Sequence, residues 1–426
     1  MSENRLVEKI CNQIDASPTP YHATARVIKD LSSKGFQKVD IESSFPSSPG
    51  SYYISQTSSL ICWQQGSSIK PFKVVGAHSD SPNLRIRPNP NTSSEFGTQL
   101  LVEVYGSPLL NSWLDRDLGL AGIVCTRGKN GLSNHLLRIE NPFLRIPQLA
   151  IHLDRGIKSS GLKLDPQTHI DPMWLGDTNF FDQGLNHIIS EKLEIPPEDI
   201  LSSDIMLFDL QGSKVSGSFE EGHLSSSRID NLLSVFTATN CFSENQDAEV
   251  QSIPVLAVFD HEEVGSRSSL GADGSFFANV IERISAALGT SRDDHLWTLS
   301  ESFLLSVDGA HATNPNYVSK HEPNHRIAMN NGIAIKHNVN QRYATTFETE
   351  SAFLEMISDL NIKTQRYSHR NDIACGSTIG PSLSANTTIA TVDIGVPQLA
   401  MHSIRETAGC ADIIDMSKVI KTFWST

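Results

Sequence analysis

The sequence predicts an α/β protein with a second, β-rich module set into it. Three observations carry this. The chain has 426 residues, beyond the length at which a single core usually divides. Helix and strand patterns alternate up to about residue 89 and resume at about 216. Between them, residues 90–215 read as strand-like alternation broken by proline-rich and polar segments.

The elements follow from local chemistry. Ser17-Pro-Thr-Pro20 separates two N-terminal helical patterns, since proline stops one helix and the polar residues cap the next, and Gly35 ends the second. The Ser-rich stretch 43–58 reads as loop or hairpin, and Phe72 to Ala77 is a short buried strand that stops at His78. In the middle module Leu100, Val102 and Val104 share one strand face, and Asn130-Gly131 is a hairpin turn between two apolar runs. Beyond it, Ile229, Leu232, Leu233 and Phe236 recur at helical spacing. A strand from Ile253 to Phe259 and a helix from Ser275 to Leu288 follow. Phe303 to Val307 runs into Asp308, Gly332 to Lys336 is short and apolar, and Ile389 to Ile394 precedes His402. Polar residues thus gather just past strand ends, where open α/β sheets carry their ligands.

Composition narrows the function classes. A formal charge of -14 leaves no basic footprint, so neither nucleic acid nor an anionic membrane is expected as a partner. No window approaches the roughly 18 apolar residues of a membrane span. The first fifteen residues are charged throughout and do not read as a signal peptide. Six scattered cysteines without a C-x-x-C pair suit a reducing cytoplasm better than a disulfide framework.

Single residues say little about chemistry. Glu262-Glu263 follows a strand, so one carboxylate could bind a metal while its neighbour reaches a water, but paired surface acids are common. His78-Ser-Asp80 offers an imidazole with a carboxylate to orient it, and equally a surface His near an Asp. Asp230 reads as readily as a helix N-cap. Asp308 ends a strand, and His402 lies in a turn. Their order changes the reading: imidazole and carboxylates at five positions after strands or at a helix start are a suitable set for two zinc ions sharing one carboxylate.

Longer motifs make this specific. They include Ser17-Pro-Thr-Pro-Tyr-His22, Gly76-Ala-His-Ser-Asp-Ser-Pro82, Ser112-Trp-Leu-Asp-Arg-Asp117, Leu149-Ala-Ile-His152, Arg228-Ile-Asp-Asn231 and Asp260-His-Glu-Glu-Val-Gly-Ser266. Others are His311-Ala312, Asn314-Pro-Asn-Tyr317, Gln341-Arg-Tyr-Ala344, Cys375-Gly-Ser-Thr-Ile-Gly-Pro381 and Leu399-Ala-Met-His-Ser-Ile-Arg-Glu406. With these motifs nearly the whole chain resembles the aspartyl aminopeptidase family of two-zinc metallopeptidases. The resemblance implies a co-catalytic zinc exopeptidase domain, a mixed central sheet flanked by helices, formed by 1–89 and 216–426. It also implies that 90–215 is an inserted β-rich dimerisation domain whose His152 reaches a neighbouring subunit's site.

By the same resemblance His78, Asp230 and Asp308 hold one zinc, and Asp230, Glu263 and His402 the other, with cobalt or manganese as substitutes. Asp80 orients His78, Glu262 is the base, and the peptide bond after Asp230 is cis. Lys336, Tyr343, His311 and Gly376 are the candidate substrate-binding residues, Lys336 favouring an acidic first residue. The expected activity is hydrolysis of an N-terminal Asp or Glu from peptides with a free amino terminus, by a homo-oligomer built from dimers, up to a dodecamer. Ser79, Asn83 and Gly309 depart from the usual family residues, which bears on substrate preference rather than on the ligands. Two other readings stay open. One is a co-catalytic zinc peptidase with neutral first-residue preference. The other is a non-catalytic peptide-binding scaffold, against which the full set of ligands and Glu262 speaks.

Overall fold

In a computed structural model, residues 3–129, 131–176, 184–244 and 251–425 are described. They form two compact units, Met1–Asp80 with Ser213–Met401 and Glu406–Thr426, and Ser81–Gly212 with His402–Arg405.

The first unit is built on a mixed sheet of nine strands among the described residues. In spatial order these are Gln37–Lys38, Gly50–Gln56, Ser59–Gln65, Ile253–Phe259, Phe72–His78, Phe303–Val307, Ala390–Gly395, Ile333–His337 and Thr364–Ser368. The Ser-rich stretch supplies the second strand and the turn of an antiparallel hairpin whose other strand is the third. At the centre, Ile253–Phe259, Phe72–His78, Phe303–Val307 and Ala390–Gly395 run parallel to one another. They read as continuous apolar runs because both faces are covered. Val75, Leu256, Leu305 and Val392 belong to one core, and Val74, Val255, Ala257 and Leu304 to another.

Helices supply both covers. Glu3–Asp15, Pro20–Ser32, Ile229–Glu244 and Cys410–Ser425 pack on the first face, Thr19 capping the second of them through the His22 N–H. The helix expected from Ser275 to Leu288 spans Phe276–Ala287 and packs on the other face, as does Ile379–Thr387. The parallel register sets Phe259 opposite His78 and Val307 opposite Ile394, so these strands end at one edge of the sheet. A five-stranded sheet flanks this edge within the same unit, in the order Lys214–Ser216, His223–Ser226, Glu406–Gly409, Pro397–Leu399, Ala310–His311.

The second unit is a closed barrel of Ile200–Asp209, Asn83–Ser94, Gly97–Tyr105, Met173–Trp174, Gly131–Arg145 and Leu118–Gly128. Leu84, Leu100, Val102, Leu120, Leu137 and Ile205 fill it. The strands on either side of the expected Asn130-Gly131 turn pair as read, while Asn130 itself lies outside the described residues. The unit begins at Ser81, where the sequence reading placed the insertion at 90, because Asn83 is already paired with Tyr105. It also takes in His402–Arg405, since the His402 carbonyl accepts from Leu109 N–H and Ile404 lies in its core.

Candidate metal centre

His78 is the last residue of its strand and is 1% exposed. Its Nδ1 faces Asp80, at 3.1 Å from the backbone carbonyl and 3.2 Å from Oδ1. With the Nδ1 proton donated there, Nε2 carries the lone pair of the neutral ring. That nitrogen points into acids: Asp230 Oδ1 at 3.2 Å, Asp308 Oδ1 at 3.7 Å and Glu262 Oε2 at 3.9 Å.

Asp80 does more than orient His78. Its Oδ1 accepts from Glu262 N–H at 3.2 Å and its Oδ2 from Glu263 N–H at 3.1 Å. One buried carboxylate therefore joins the end of Phe72–His78 to the turn Glu262–Val264 that follows the neighbouring strand. His261 enters that turn at φ 63°, which swings the chain so that two successive glutamates project from one tight loop.

Asp230 sits at a break in Ile229–Glu244: its backbone is extended (φ -78°, ψ 107°), Asn231 is also non-helical (φ -122°, ψ 20°), and the peptide bond between them is cis. The Asn231 side chain donates to the Val307 carbonyl at 2.9 Å, tying this segment to the residue before Asp308. Asp308 is 7% exposed, and its Oδ1 accepts from Gly309 N–H at 2.6 Å. Gly395 is required beside it, because a Cβ there would lie 1.9 Å from the Asp308 carbonyl oxygen.

His78, Asp230 and Glu263 each offer one ligand atom, all within 4.8 Å of one another. The donor set fits zinc: one imidazole nitrogen and carboxylate oxygens are its ordinary hard and borderline ligands. Charge gives the second reason for the fit. Asp80, Asp230, Glu262, Glu263 and Asp308 surround a single imidazole, an excess of negative charge that a divalent cation offsets. Among the protein groups themselves, burial and then the Asp230 carboxylate hold Glu263 well above the usual carboxylate range. Burial, with Asp308, Asp80 and Asp230 against the opposing pull of His78, takes Glu262 up to about 8. For His78 burial acts against the charge, but hydrogen bonds to Asp230, Asp308 and Asp80 outweigh it and raise the ring's pKa.

Lys336 comes from the next strands of the sheet. It is 2% exposed, donates to the Gly309 carbonyl at 2.9 Å and sits 3.8 Å from Asp308 Oδ2. Tyr343 lies with its ring centroid 5.2 Å from the ammonium, and Cys375 Sγ contacts its hydroxyl. His311 stands 6.2 Å, ring to ring, from His369 and lines a cavity of about 290 Å³ with His321, Tyr367 and Met401. A larger cavity of about 1000 Å³ is lined by Gln341, Arg342, Cys375 and Ser377. Gly376 lies between two of these, but an added Cβ would meet nothing within 4 Å, so the position does not need glycine for room.

The structure thus gathers His78, Asp80, Asp230, Glu262, Glu263, Asp308 and Lys336. His402 and His152 belong to the second unit. There the Nδ1 of His402 lies 3.0 Å from the Ser107 carbonyl, which leaves the lone pair on Nε2. His152 is exposed in the turn that follows Leu149.

Asp393 and Glu406 are among the buried acids that the sequence alone does not single out. Asp393 accepts from Thr378 Oγ1 and Ala344 N–H, both at 2.6 Å, and is held above its usual range chiefly by burial. Glu406 accepts from Asp230 N–H at 3.0 Å. The signal for Asp393 was present: an acid between Val392 and Ile394 inside an apolar strand has to be partnered.

An α/β sheet whose parallel strands deliver an imidazole and several carboxylates to one edge defines a metal-dependent α/β protein. Residues 13–424 match the family described as Aminopeptidase I zinc metalloprotease (M18). The chain belongs to this family, the aspartyl aminopeptidases, and is a zinc aminopeptidase. It is 42% identical to the "Probable M18 family aminopeptidase 2" of Mycobacterium leprae over 423 residues, 98% of this chain and 97% of that protein. It is 40% identical to the protein of the same name in Streptomyces coelicolor, over 94% of this chain and 93% of that one. Among solved structures it resembles a chain in the cryo-EM structure of the Ape4 and Nbr1 complex, with a TM-score of 0.93 and 34% identity. That likeness covers 100% of this chain and 86% of the other. Chaetomium thermophilum mApe1 is similar at a TM-score of 0.88 and 26% identity, over 99% and 98%.

Proposed function

We propose that this aminopeptidase works with two zinc ions, uses Glu262 as its general base and prefers an N-terminal Asp or Glu. One observation carries the assignment of the base. Glu262 stands beside the His78, Asp230 and Glu263 cluster, within 3.9 Å of His78 Nε2, on the same turn as Glu263 but outside the set that converges most tightly. A carboxylate so placed can take a proton from a water at the centre without itself being a ligand.

His78, Asp230 and Asp308 would hold one zinc, and the family resemblance assigns Glu263 and His402, with Asp230, to the other. Zinc bound there would polarise the scissile carbonyl and acidify a water. Glu262 accepts the water proton and returns it to the departing amine, an exchange worth roughly a hundred- to ten-thousand-fold in rate. Asp80 keeps His78 in one tautomer and fixes the Glu262 turn through its backbone N–H groups.

The acidic preference rests on Lys336. Among the described residues its hydrogen bond goes to the Gly309 carbonyl, which leaves two of the ammonium's three donors for a substrate carboxylate. A buried cation also disfavours an apolar side chain set against it. His311 and Tyr343 would line the same subsite, with Gly376 in the neighbouring wall.

His152 would act in a neighbouring subunit of a homo-oligomer built from dimers. Leu149, Ile151 and Leu153, which flank it, are 64%, 45% and 75% exposed, an apolar set suited to burial against a second copy. The free cysteines suit a reducing compartment such as the cytoplasm.

Release rates across a panel of N-terminal residues, with and without a chelator, test the proposal. Asp and Glu should be released fastest, and chelation should abolish release of every residue. Lys336→Met should narrow the gap between acidic residues and Leu. Faster release of Leu or Ala by the wild type would overturn the acidic preference, and activity that survives full removal of zinc would overturn the metal mechanism.

A further inference from the structure

We infer that Glu406 is a positioning residue for the metal ligand Asp230. It closes the motif that begins at Leu399 and has no part in the mechanism above, yet it is 1% exposed. The antiparallel register of His223–Ser226 with Glu406–Gly409 sets Glu406 opposite Ser226, at the entrance to the Asp230 segment. From there its Oε2 accepts the Asp230 N–H at 3.0 Å, while Gln398 Nε2 lies 3.4 Å from Oε1.

The cost of this arrangement points to its use. A buried carboxylate is expensive to desolvate, and here it stands next to a centre already rich in acids. The buried Asp230 N–H needs an acceptor, and Glu406 supplies one at 3.0 Å while its other oxygen faces Gln398. Asp230 needs that anchor because its backbone is extended at a break inside Ile229–Glu244, where helical hydrogen bonding does not hold it. A second tie from this turn is the Asn231 side chain on the Val307 carbonyl. Glu406 fixes the amide on one side of the Asp230 Cα and Asn231 the chain on the other, so the carboxylate of Asp230 is aimed by two contacts that touch no metal. Groups that orient ligands in this way typically carry about ten- to a hundredfold in metal affinity.

The inference rests on Asp230 being a zinc ligand, and the experiment separates the two. Zinc affinity of the purified full chain is measured by competition with a chelating indicator for Glu406→Gln, Glu406→Met and Asp230→Asn, with thermal unfolding at saturating zinc as a check on folding. Glu406→Gln keeps an acceptor for the Asp230 N–H and should hold zinc within about threefold of wild type. Glu406→Met fills the same space without an acceptor and should bind about ten- to a hundredfold more weakly. Wild-type affinity in Glu406→Met, or an equal loss in both variants, overturns the positioning role. If Asp230→Asn binds zinc as well as wild type, the ligand assignment fails instead. Should Glu406→Met not fold, Gln398→Ala, which frees the same carboxylate from its second partner, should weaken zinc about threefold; unchanged affinity there overturns the inference.

Discussion

At the scale of single residues, the proposed division of roles between Glu262 and Glu263 is the most directly testable. Both follow the same strand and both give their backbone N–H to Asp80, but Glu263 is the one whose ligand atom converges with His78 and Asp230. Glu262→Gln should therefore lose at least about a hundredfold in turnover, the lower end expected for loss of a general base, while retaining its zinc. Turnover and elemental analysis of the same preparation check this, and near-normal turnover would rule out the base. The residue scale is also where sequence order did best. It picked His78, Asp80, Asp230, Glu262, Glu263, Asp308 and His402 as a set; the first six come together in the first unit, and His402 belongs to the second. It could not assign Glu406 or Asp393, whose partners are backbone amides 176 and 49 positions away in the chain.

At the scale of elements, two close approaches hold the centre in place. Gly395 ends its strand where the Asp308 carbonyl passes, and a methyl group there would lie 1.9 Å from that oxygen. Gly395→Ala must push the Asp308 backbone aside, at a cost of about 1–3 kcal/mol typical of overpacking. It should lower both the unfolding midpoint and the zinc affinity; a variant with unchanged zinc affinity would show that Asp308 tolerates the shift.

The second approach is at the helix Cys410–Ser425. Asp412 in its first turn accepts from Asn330 N–H at 2.6 Å and Gly332 N–H at 2.8 Å, fastening the turn before the strand Ile333–His337 that carries Lys336. Burial raises this carboxyl to about 7 despite the two amide donors. Its folded value lies above its unfolded value of about 3.9, so the folded state binds the proton more tightly. The stability it adds is full below about pH 4 and is lost as pH rises to about 7. Asp412→Asn cannot titrate. The stability advantage of wild type over this variant, from denaturant unfolding at about pH 5 and about pH 7.5, should shrink as pH rises. A difference independent of pH would mean that the two amides keep Asp412 ionised throughout.

At the scale of the whole molecule, the proposed role of His152 makes activity a property of assembly. Chains carrying His152→Ala and chains carrying Glu262→Gln should each be nearly inactive alone. Mixed oligomers should recover part of the activity, since some sites then combine an intact Glu262 with an intact His152. No recovery in oligomers verified to be mixed would reject a shared site. The sequence by itself determined the class of fold, the family, the helix and strand pattern that places polar residues at strand ends, and the order of imidazole and carboxylates. Those features are local, or lie in contiguous motifs, and period and turn chemistry reveal them. Only the tertiary structure decided that Asp80 joins His78 to the Glu262 turn, that Asp230 lies extended at a break in its helix, and that Lys336 already leans on Gly309 beside Asp308. It also moved the edge of the barrel unit to Ser81 and gave that unit His402–Arg405. Each of these depends on which strands become neighbours and in what register, and a pairing between residues far apart in the chain leaves no periodic trace in either segment.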